Sequence, residues 1–338
     1  MRHPWLVGIA AVALTLALLV VALFAGSAGL APAAVVDALL AGPSGGDGGP
    51  AHTIVWSLRL PRAVLAIAVG GGLSVVGVGM QALVRNPLAE PYLLGVSSGA
   101  SAGASLFYLG FLPVALTRTL SLPIAAAIGA FVAVTAVFAA ARTRGGLSTT
   151  RLLLAGVAAA SLFGAVATFA TFAAPDADRM RTVMFWLLGS LAGTRWSEVA
   201  LPWIAAVAGA VTLFTVARPL DAMLLGEDAA GSLGVPVERL KLWLVGLTAV
   251  VTGTLVAAAG AVGFVGLVVP HVVRFAVGAP HRRVVPLAFV VGGAFLLASD
   301  AAAQSLLAGR ELPLGVVTAV LGAPFFLWLL RRTERLEG

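Results

Sequence analysis

Apolar stretches long enough to cross a membrane recur from one end of the sequence to the other. The first runs from Trp5 to Ala25, and about 20 apolar residues are enough to span the hydrocarbon core of a bilayer. The core of a secretory signal peptide is shorter, at about 7–15 residues. We therefore interpret this first stretch as a transmembrane helix, and we expect the later stretches to be transmembrane helices as well.

The composition excludes a soluble protein. Hydrophobic residues make up 60% of the 338 residues and charged residues only 10%, whereas soluble domains carry about 25% charged residues. The net charge of +7 suits basic residues at the cytoplasmic ends of membrane spans better than nucleic-acid binding. The sequence has no cysteine, which excludes disulfides and cysteine-ligated metals.

The stretch 240–273 decides the number of spans, because Gly260, Gly263, Gly266 and Pro270 interrupt it. If it forms two spans, the chain has ten and both termini lie on one side, together with 14 of the 21 basic residues. If it forms one span, that side holds only 9 basic residues and the other side holds 12. Basic residues accumulate in cytoplasmic loops, so we predict ten spans with both termini in the cytoplasm.

The sequence thus predicts an all-α polytopic membrane protein with one transmembrane domain over residues 1–338. The spans are predicted at 5–25, 61–83, 93–112, 121–141, 151–173, 196–216, 240–259, 261–275, 284–303 and 314–330. Segment 174–195 lies outside, and we expect a short amphipathic helix or a re-entrant segment there. The Gly/Pro/Ser-rich loop 42–50, also outside, is expected to be flexible. The longest inside loop runs from about 217 to 239.

Enzyme signatures give little support for catalysis. A P-loop needs Gly-Lys-[Ser/Thr], and the only lysine is Lys241, so if ATP drives this protein, another chain must bind it. Ser97 lies in a G-x-S-x-G pattern that opens an apolar helix, where small residues favour close helix packing. An intramembrane serine protease with His271 as its base remains an alternative.

Ion-coupled secondary transport is a second alternative. It favours ionisable groups near the middle of the membrane, where each is costly to bury. The predicted span interiors contain no carboxylate, and the nearest is Asp300 at the outer end of the ninth span. We interpret Asp300 as an interfacial cap or as the partner of an arginine. The absence of carboxylates from the span interiors weakens the ion-coupled hypothesis.

Five groups of motifs follow one another between residues 59 and 330. The first comprises Arg59-Leu60-Pro61-Arg62, Met80-Gln81, Arg85-Asn86-Pro87-Leu88-Ala89-Glu90-Pro91 and the segment 93–100. The second comprises the segment 152–157, Trp186, Gly189-Ser190 and Trp196. The third comprises Leu225-Gly226, Ala230 and Leu233-Gly234-Val235. The fourth comprises the segment 260–271, Arg274 and Asp300, and the fifth comprises the segments 311–315 and 322–326.

In this order, the motifs resemble the permease subunits of ABC importers for iron-siderophores, haem and cobalamin, the FecCD-type family. The resemblance implies a type II ABC importer permease fold in the bacterial inner membrane. It also implies a transport subunit rather than an enzyme, with no cofactor of its own. We expect an iron-siderophore as the cargo, with haem or cobalamin next.

The same resemblance implies several partners. A second permease copy, expected to form a homodimer, would surround a central pathway. Two ATP-binding subunits, which hold ATP and magnesium, would bind inside, and a periplasmic or lipid-anchored substrate-binding protein would dock outside. Membrane lipid is a further partner, whereas nucleic acid is not.

Site residues follow from the motif positions. Arg59 and Arg62 match outward-facing arginines that pair with carboxylates on the binding protein. Relatives often carry a further arginine where this chain has Gln304, so Arg310 either substitutes for it or the docking surface is less basic.

The loop 219–235 matches the cytoplasmic coupling segment that contacts the ATP-binding subunits. Its expected contact residues are Leu225, Gly226, Glu227, Ala230, Leu233 and Gly234. The family's cytoplasmic gate corresponds to Ser148, Thr149 and Thr150. The fifth span follows the gate and is expected to line the pathway with small residues that include Ala155 and Ala159.

Overall fold

The computed structural model describes residues 4–26, 29–43, 49–113, 120–143, 146–307 and 310–337. These residues form α-helices, one short 3₁₀-helix (Pro91–Leu94), one short hairpin and connecting turns. The helices are α1 (Pro4–Phe24), α2 (Pro32–Ala41), α3 (Pro50–Val84), α4 (Val96–Tyr108), α5 (Leu122–Ala141), α6 (Thr149–Phe172), α7 (Ala177–Leu187), α8 (Trp196–Thr215), α9 (Ala217–Met223), α10 (Glu227–Ser232), α11 (Val237–Ala259), α12 (Val265–Val277), α13 (His281–Ser305) and α14 (Leu314–Glu337). Strands β1 (Arg142–Thr143) and β2 (Gly146–Leu147) pair antiparallel.

Seven of the described helices are long and apolar enough to cross a membrane, namely α1, α3, α5, α6, α8, α11 and α13. Shorter apolar helices are α2, α12 and the Leu314–Leu329 part of α14. In lipid a helix satisfies its own backbone hydrogen bonds, which explains why the apolar stretches are helical. Each of the ten predicted spans coincides with a helix, with α4 and α12 shorter than expected at 13 residues each. The all-α polytopic fold is therefore confirmed.

The stretch 240–273 contains two helices, α11 and α12, as the distribution of basic residues predicts. The chain turns between them at Gly260, whose φ is +68°. A Cβ atom on Gly260 would lie 2.2 Å from the carbonyl oxygen of Trp186, so only glycine fits this turn. Phe264 also has a positive φ, of +68°, directly before α12.

Helix α3 lies at the centre of the bundle, where it packs against α8, α11, α12 and α13. Small residues allow this close approach. A Cβ atom on Gly77 would lie 2.0 Å from the carbonyl oxygen of Gly266 on α12. The glycine spacing in α4 has the same effect, because a Cβ atom on Gly99 would lie 2.4 Å from the carbonyl oxygen of Gly129 on α5.

Two features near the N-terminus differ from the prediction. Helix α2 was not expected, since its ten residues are too few to cross a bilayer. Helix α3 begins at Pro50, well before the predicted start at 61, and it contains a π-helical segment at Ile54–Arg59. The indole nitrogen of Trp56 donates to the carbonyl oxygen of Ala38 at 2.8 Å and holds α2 against α3. Residues 44–48 of the loop expected to be flexible lie outside the described residues.

The two long connections also contain helices. Within 174–195, α7 begins after Asp176, whose carboxylate accepts a hydrogen bond from the backbone N–H of Arg179 at 2.8 Å. Within the inside loop, α9 and α10 are joined by a turn at Gly226, whose φ is +112°.

Candidate functional site

Polar side chains gather at the two ends of the bundle. We call one set the outer cluster, formed by Arg59, Arg62, Asp300, Gln304 and Glu311. We call the other the inner cluster, formed by the side chains of Arg85, Glu227, Glu238 and Lys241 together with the backbone of Leu147. Each cluster joins only residues that the charge distribution assigns to the same side of the membrane.

Arg62 is held within the outer cluster by two carboxylates of its own chain. Its Nε and Nη2 atoms donate to the two oxygens of Asp300, both at 2.9 Å, and its Nη1 donates to Glu311 at 2.9 Å. The Asp300 side chain is 2% exposed and the Arg62 side chain 11% exposed. Asp300 is therefore the partner of an arginine, one of the two roles expected for it.

Gln304 completes the coordination of the Asp300 carboxylate. Its side-chain amide donates to Oδ2 of Asp300 at 2.8 Å from the next turn of α13. An arginine at position 304 would add a second positive charge beside Arg62. The glutamine supplies a hydrogen bond without that charge.

Arg59 lies at the end of the π-helical segment and is also buried. Its Nη1 donates to the carbonyl oxygen of Leu23 at 2.7 Å, in the last turn of α1, where carbonyl groups lack partners within the helix. Its Nη2 is buried and has no hydrogen-bond acceptor among the described residues. Arg310, in contrast, is exposed and forms no ion pair with a described residue. The docking roles of these three arginines stay predictions.

The coupling segment 219–235 has a buried side and an exposed apolar side. Ala230 is fully buried, whereas Leu225 is 70% exposed and Leu233 is 67% exposed. Gly226 and Gly234 have positive φ values of +112° and +83°, which shape the turns on either side of α10.

Two hydrogen-bonded contacts fix this segment to the rest of the bundle, in addition to the 3.8 Å ion pair between Glu227 and Arg85. Asp221 accepts the backbone N–H of His281 at 3.0 Å, which joins α9 to α13. Glu227 accepts from the ammonium of Lys241 at 2.9 Å, which joins α10 to α11. Glu227 therefore faces the protein, while the two leucines face away from it.

The predicted gate residues lie where the hairpin meets α6. Ser148 is the N-cap of α6, and its hydroxyl accepts from the backbone N–H of Arg151 at 3.4 Å. Thr149 and Thr150 form the first turn, with Thr150 exposed. The preceding residue, Leu147, is bonded through both backbone groups to side chains of α11.

One face of α6 packs inward and the other is open. Ala159 is buried and belongs to the packed face. If Gly95 carried a Cβ atom, that atom would lie 3.2 Å from the Cβ of Ala159. Ala155, one turn earlier, is partly buried and packs against the same core. The exposed face instead carries large apolar side chains, namely Leu154, Val157, Leu162, Phe169 and Phe172. The pathway role of the two alanines stays a prediction.

A contact that the sequence did not indicate joins the first and fourth motif groups. The carboxylate of Glu90 accepts the backbone N–H of Phe264 at 2.7 Å, and the Tyr92 hydroxyl bonds to both backbone groups of Val262. Burial raises the pKa of Glu90 above its ordinary value, although the Phe264 hydrogen bond opposes this. These two side chains fix the turn between α11 and α12.

Ser97 and His271 are the residues of the protease alternative. Ser97 and His271 share no hydrogen bond in the part of the chain that the structure describes. His271 instead contacts the rings of Phe275 and Phe325. Among the described residues, no three histidine, aspartate or glutamate side chains are grouped so that they could hold a metal ion.

Comparison with known proteins identifies the fold and the family. A model of the FecCD transport family matches residues 14–332. The cobalamin import system permease of Halobacterium salinarum is 42% identical over 84% of this chain and 75% of that protein. The hemin transport system permease of Yersinia pestis is 40% identical over 84% of this chain and 85% of that protein.

Solved structures agree with these sequence matches. An inward-facing structure of a metal-chelate type ABC transporter superimposes on this chain with a TM-score of 0.82. The two are 27% identical, and the match covers 97% of this chain and 99% of the other. The fold is that of a type II ABC importer permease.

Proposed function

The chain belongs to the FecCD transport family, and from this premise we propose that it is the membrane permease of an ATP-driven importer for a metal chelate. In this role the chain provides the transmembrane pathway, and other subunits bind ATP and capture the cargo. It performs no chemistry and holds no cofactor of its own. The proposal assigns the inner cluster to coupling with ATP hydrolysis and the outer cluster to docking.

The observation that carries this proposal is the exposed apolar side of the coupling segment. Leu225 and Leu233 are exposed at the end of the bundle that collects most basic side chains, where a membrane span would end. Exposed apolar patches of this kind mark protein interfaces. A protein that seats α9 and α10 would bury both leucines. An ATP-binding subunit fits this place, because the only lysine of the chain is not part of a P-loop.

The outer cluster supports a docking site for a binding protein. Arg310 is exposed and directly precedes Glu311, so a partner protein can reach it. The Glu311 carboxylate that pairs with the Arg62 guanidinium is partly exposed. A carboxylate on the binding protein that replaced Glu311 would pair with Arg62 without disturbing Asp300. Charged groups at such a rim orient and accelerate association more than they add affinity.

We propose that the exposed face of α6 lines the pathway between two copies of the permease. This face runs from Leu154 to Phe172 and is apolar along its length. An apolar lining holds a bulky chelate only weakly, which suits passage and release. A homodimer is proposed because one chain supplies ten helices at the predicted spans.

The cargo is proposed to be a metal chelate of the size of cobalamin, haem or an iron-siderophore complex. The similar relatives named for cobalamin and haem support the first two. The iron-siderophore preferred from the motifs stays a prediction. We place the protein in a bacterial inner membrane with both termini in the cytoplasm, supported by the bias of 14 basic residues against 7.

The test is an affinity purification of the tagged chain from its native membrane. We expect a P-loop ATPase to co-purify in stoichiometric amount, and the complex in liposomes to import one of the three chelates when ATP and the binding protein are supplied. A chain that purifies alone and transports under an ion gradient would contradict the proposal in favour of ion-coupled transport.

A further inference from the structure

The side chain of Lys241 joins three separate parts of the inner cluster. Its ammonium donates to the carbonyl oxygen of Leu147 on β2 at 2.9 Å and to Glu227 on α10 at 2.9 Å. It also lies 2.6 Å from Glu238, one turn earlier on α11. An ammonium has three donors, and all three have an acceptor. Lys241 is only 3% exposed, so water competes little for these bonds.

Glu238 makes the contact with β2 rigid. One of its oxygens bonds to Lys241, and the other accepts the backbone N–H of Leu147 at 2.7 Å. A Cβ atom on Gly146 would lie 2.3 Å from the same carboxylate, so the strand lies directly against it. Both backbone groups of Leu147 are therefore fixed by α11, and Ser148 and α6 follow immediately along the chain.

The coupling segment reaches this assembly through Lys241. Within the described ranges, no hydrogen bond or ion pair joins residues 219–235 directly to residues 142–150. Glu227 binds the ammonium from one side, and the carbonyl oxygen of Leu147 binds it from another. Charge-assisted hydrogen bonds of a buried group are stronger than exposed ones, so this connection resists separation.

We infer that Lys241 is a positioning residue that transmits movement of the coupling segment to α6, through Glu227 on one side and Leu147 on the other. The inference rests on the proposed function, because it requires ATP-binding subunits that displace α10. A displacement of α10 moves the Lys241 ammonium, and the ammonium moves the strand that leads into α6. Glu238 also bonds to both Lys241 and Leu147, so β2 and α11 are expected to move together.

A purely structural role for Lys241 makes a different prediction. If the residue only stabilises the fold, its loss lowers the yield of the complex and leaves the movement of the remaining complex intact. If it transmits movement, the complex assembles and hydrolyses ATP, but α10 moves without α6. The relative displacement of the two helices distinguishes the roles.

The experiment uses the complex with its ATP-binding subunits and spin labels on Ser232→Cys in α10 and Arg151→Cys in α6. Both positions are exposed, and the chain has no natural cysteine. Label separation is measured by pulsed electron paramagnetic resonance without nucleotide and with ATP trapped by vanadate. In the otherwise unaltered chain we expect the same separation in both states, because the two helices move together.

Two variants remove the connection. Glu227→Ala removes the acceptor on α10 and leaves Lys241 bonded to Glu238 and Leu147, so it preserves these two contacts. Lys241→Met removes the ammonium itself. In both we expect the label separation to shift by about 2 Å or more between the two states, the size of helix shifts in such transitions.

Arg239→Met is the matched control, because it removes a positive charge from an exposed side chain two positions away. We expect it to leave the separation constant. The inference is overturned if Glu227→Ala also leaves the separation constant, whether or not Lys241→Met folds. A different result, in which the unaltered chain recruits no ATPase, would instead overturn the proposed function and the inference with it.

Discussion

Arg62 on α3 donates two hydrogen bonds, both 2.9 Å long, to the carboxylate of Asp300 on α13, 238 residues further along the chain. This pairing changes how the outer end of the protein can be tested. Arg62→Glu would place a third carboxylate beside Asp300 and Glu311, so it would disrupt the fold as well as any docking surface. Variants that separate stability from docking are therefore needed.

The first prediction concerns the stability that the buried pair provides. Asp300→Asn removes the charge that compensates Arg62, and breaking one side of a buried ion pair costs about 3–5 kcal/mol. We expect a clearly lower unfolding temperature for this variant in detergent. The measurement is the fraction of protein that still elutes as folded in size-exclusion chromatography after heating. Glu311→Gln is the comparison, with an expected loss of about 1 kcal/mol or less, because Glu311 is 27% exposed. Equal losses in the two variants would contradict this assignment.

The second prediction concerns docking. Arg310→Glu reverses an exposed charge that has no ion-pair partner among the described residues, so the fold should tolerate it. We expect affinity for the binding protein to fall about two- to ten-fold, mainly through slower association, and the effect to weaken with added salt. Surface plasmon resonance at two salt concentrations measures both. Arg239→Glu makes the same change at the opposite end and should leave the affinity unaltered. An unchanged association rate in Arg310→Glu would remove Arg310 from the docking surface.

The third prediction concerns the packing of the central helix. Gly77→Ala would place a methyl group 2.0 Å from the carbonyl oxygen of Gly266, and overpacking of this kind costs about 1–3 kcal/mol or more. We expect a lower unfolding temperature and a lower yield of folded protein. Gly164→Ala makes the same substitution within α6, where no atom lies within 4 Å of the new methyl group. It should be neutral or slightly stabilising, and a loss equal to that of Gly77→Ala would contradict the packing argument.

The fourth prediction concerns pH. Burial raises the pKa of Glu90 in the folded protein, so the folded state holds this proton more tightly than the unfolded state does. The corresponding stability is present below the unfolded pKa and is lost as the pH rises through the folded pKa. Glu90→Gln cannot ionise and still offers an oxygen to the N–H of Phe264. We therefore expect the variant to lose less stability than the unaltered protein between pH 4 and pH 8, as measured by thermal unfolding. Parallel curves for the two proteins would show that Glu90 does not contribute.

Much of the fold could be predicted from local sequence. The ten predicted spans coincide with helices because a run of about 20 apolar residues is a local property, and lipid leaves the helix as the solution for its backbone. The break within 240–273 was predicted by counting basic residues on each side. Helix α2 was missed because ten residues carry no such signal, and it is held by the distant Trp56.

The candidate sites could be predicted only in part. Ordered motifs predict a coupling segment, a gate and docking arginines, but they do not indicate which side chains are exposed. Ala159 is predicted to line the pathway because it is small, and the structure adds that it packs closely against Gly95. The role of Glu90 was missed because its partner is a backbone group 174 residues away.

The sequence by itself determined that this chain is an all-α polytopic membrane protein and to which family its motifs belong. Hydrophobicity, charge counts and motif order are all written along the chain. Only the tertiary structure decided which charges are free and which are already paired. Arg62 and Lys241 look like exposed cations in the sequence, yet both are buried against carboxylates. The physical reason is that the energy of a charge depends on what surrounds it in space, and those partners are brought together by helix packing.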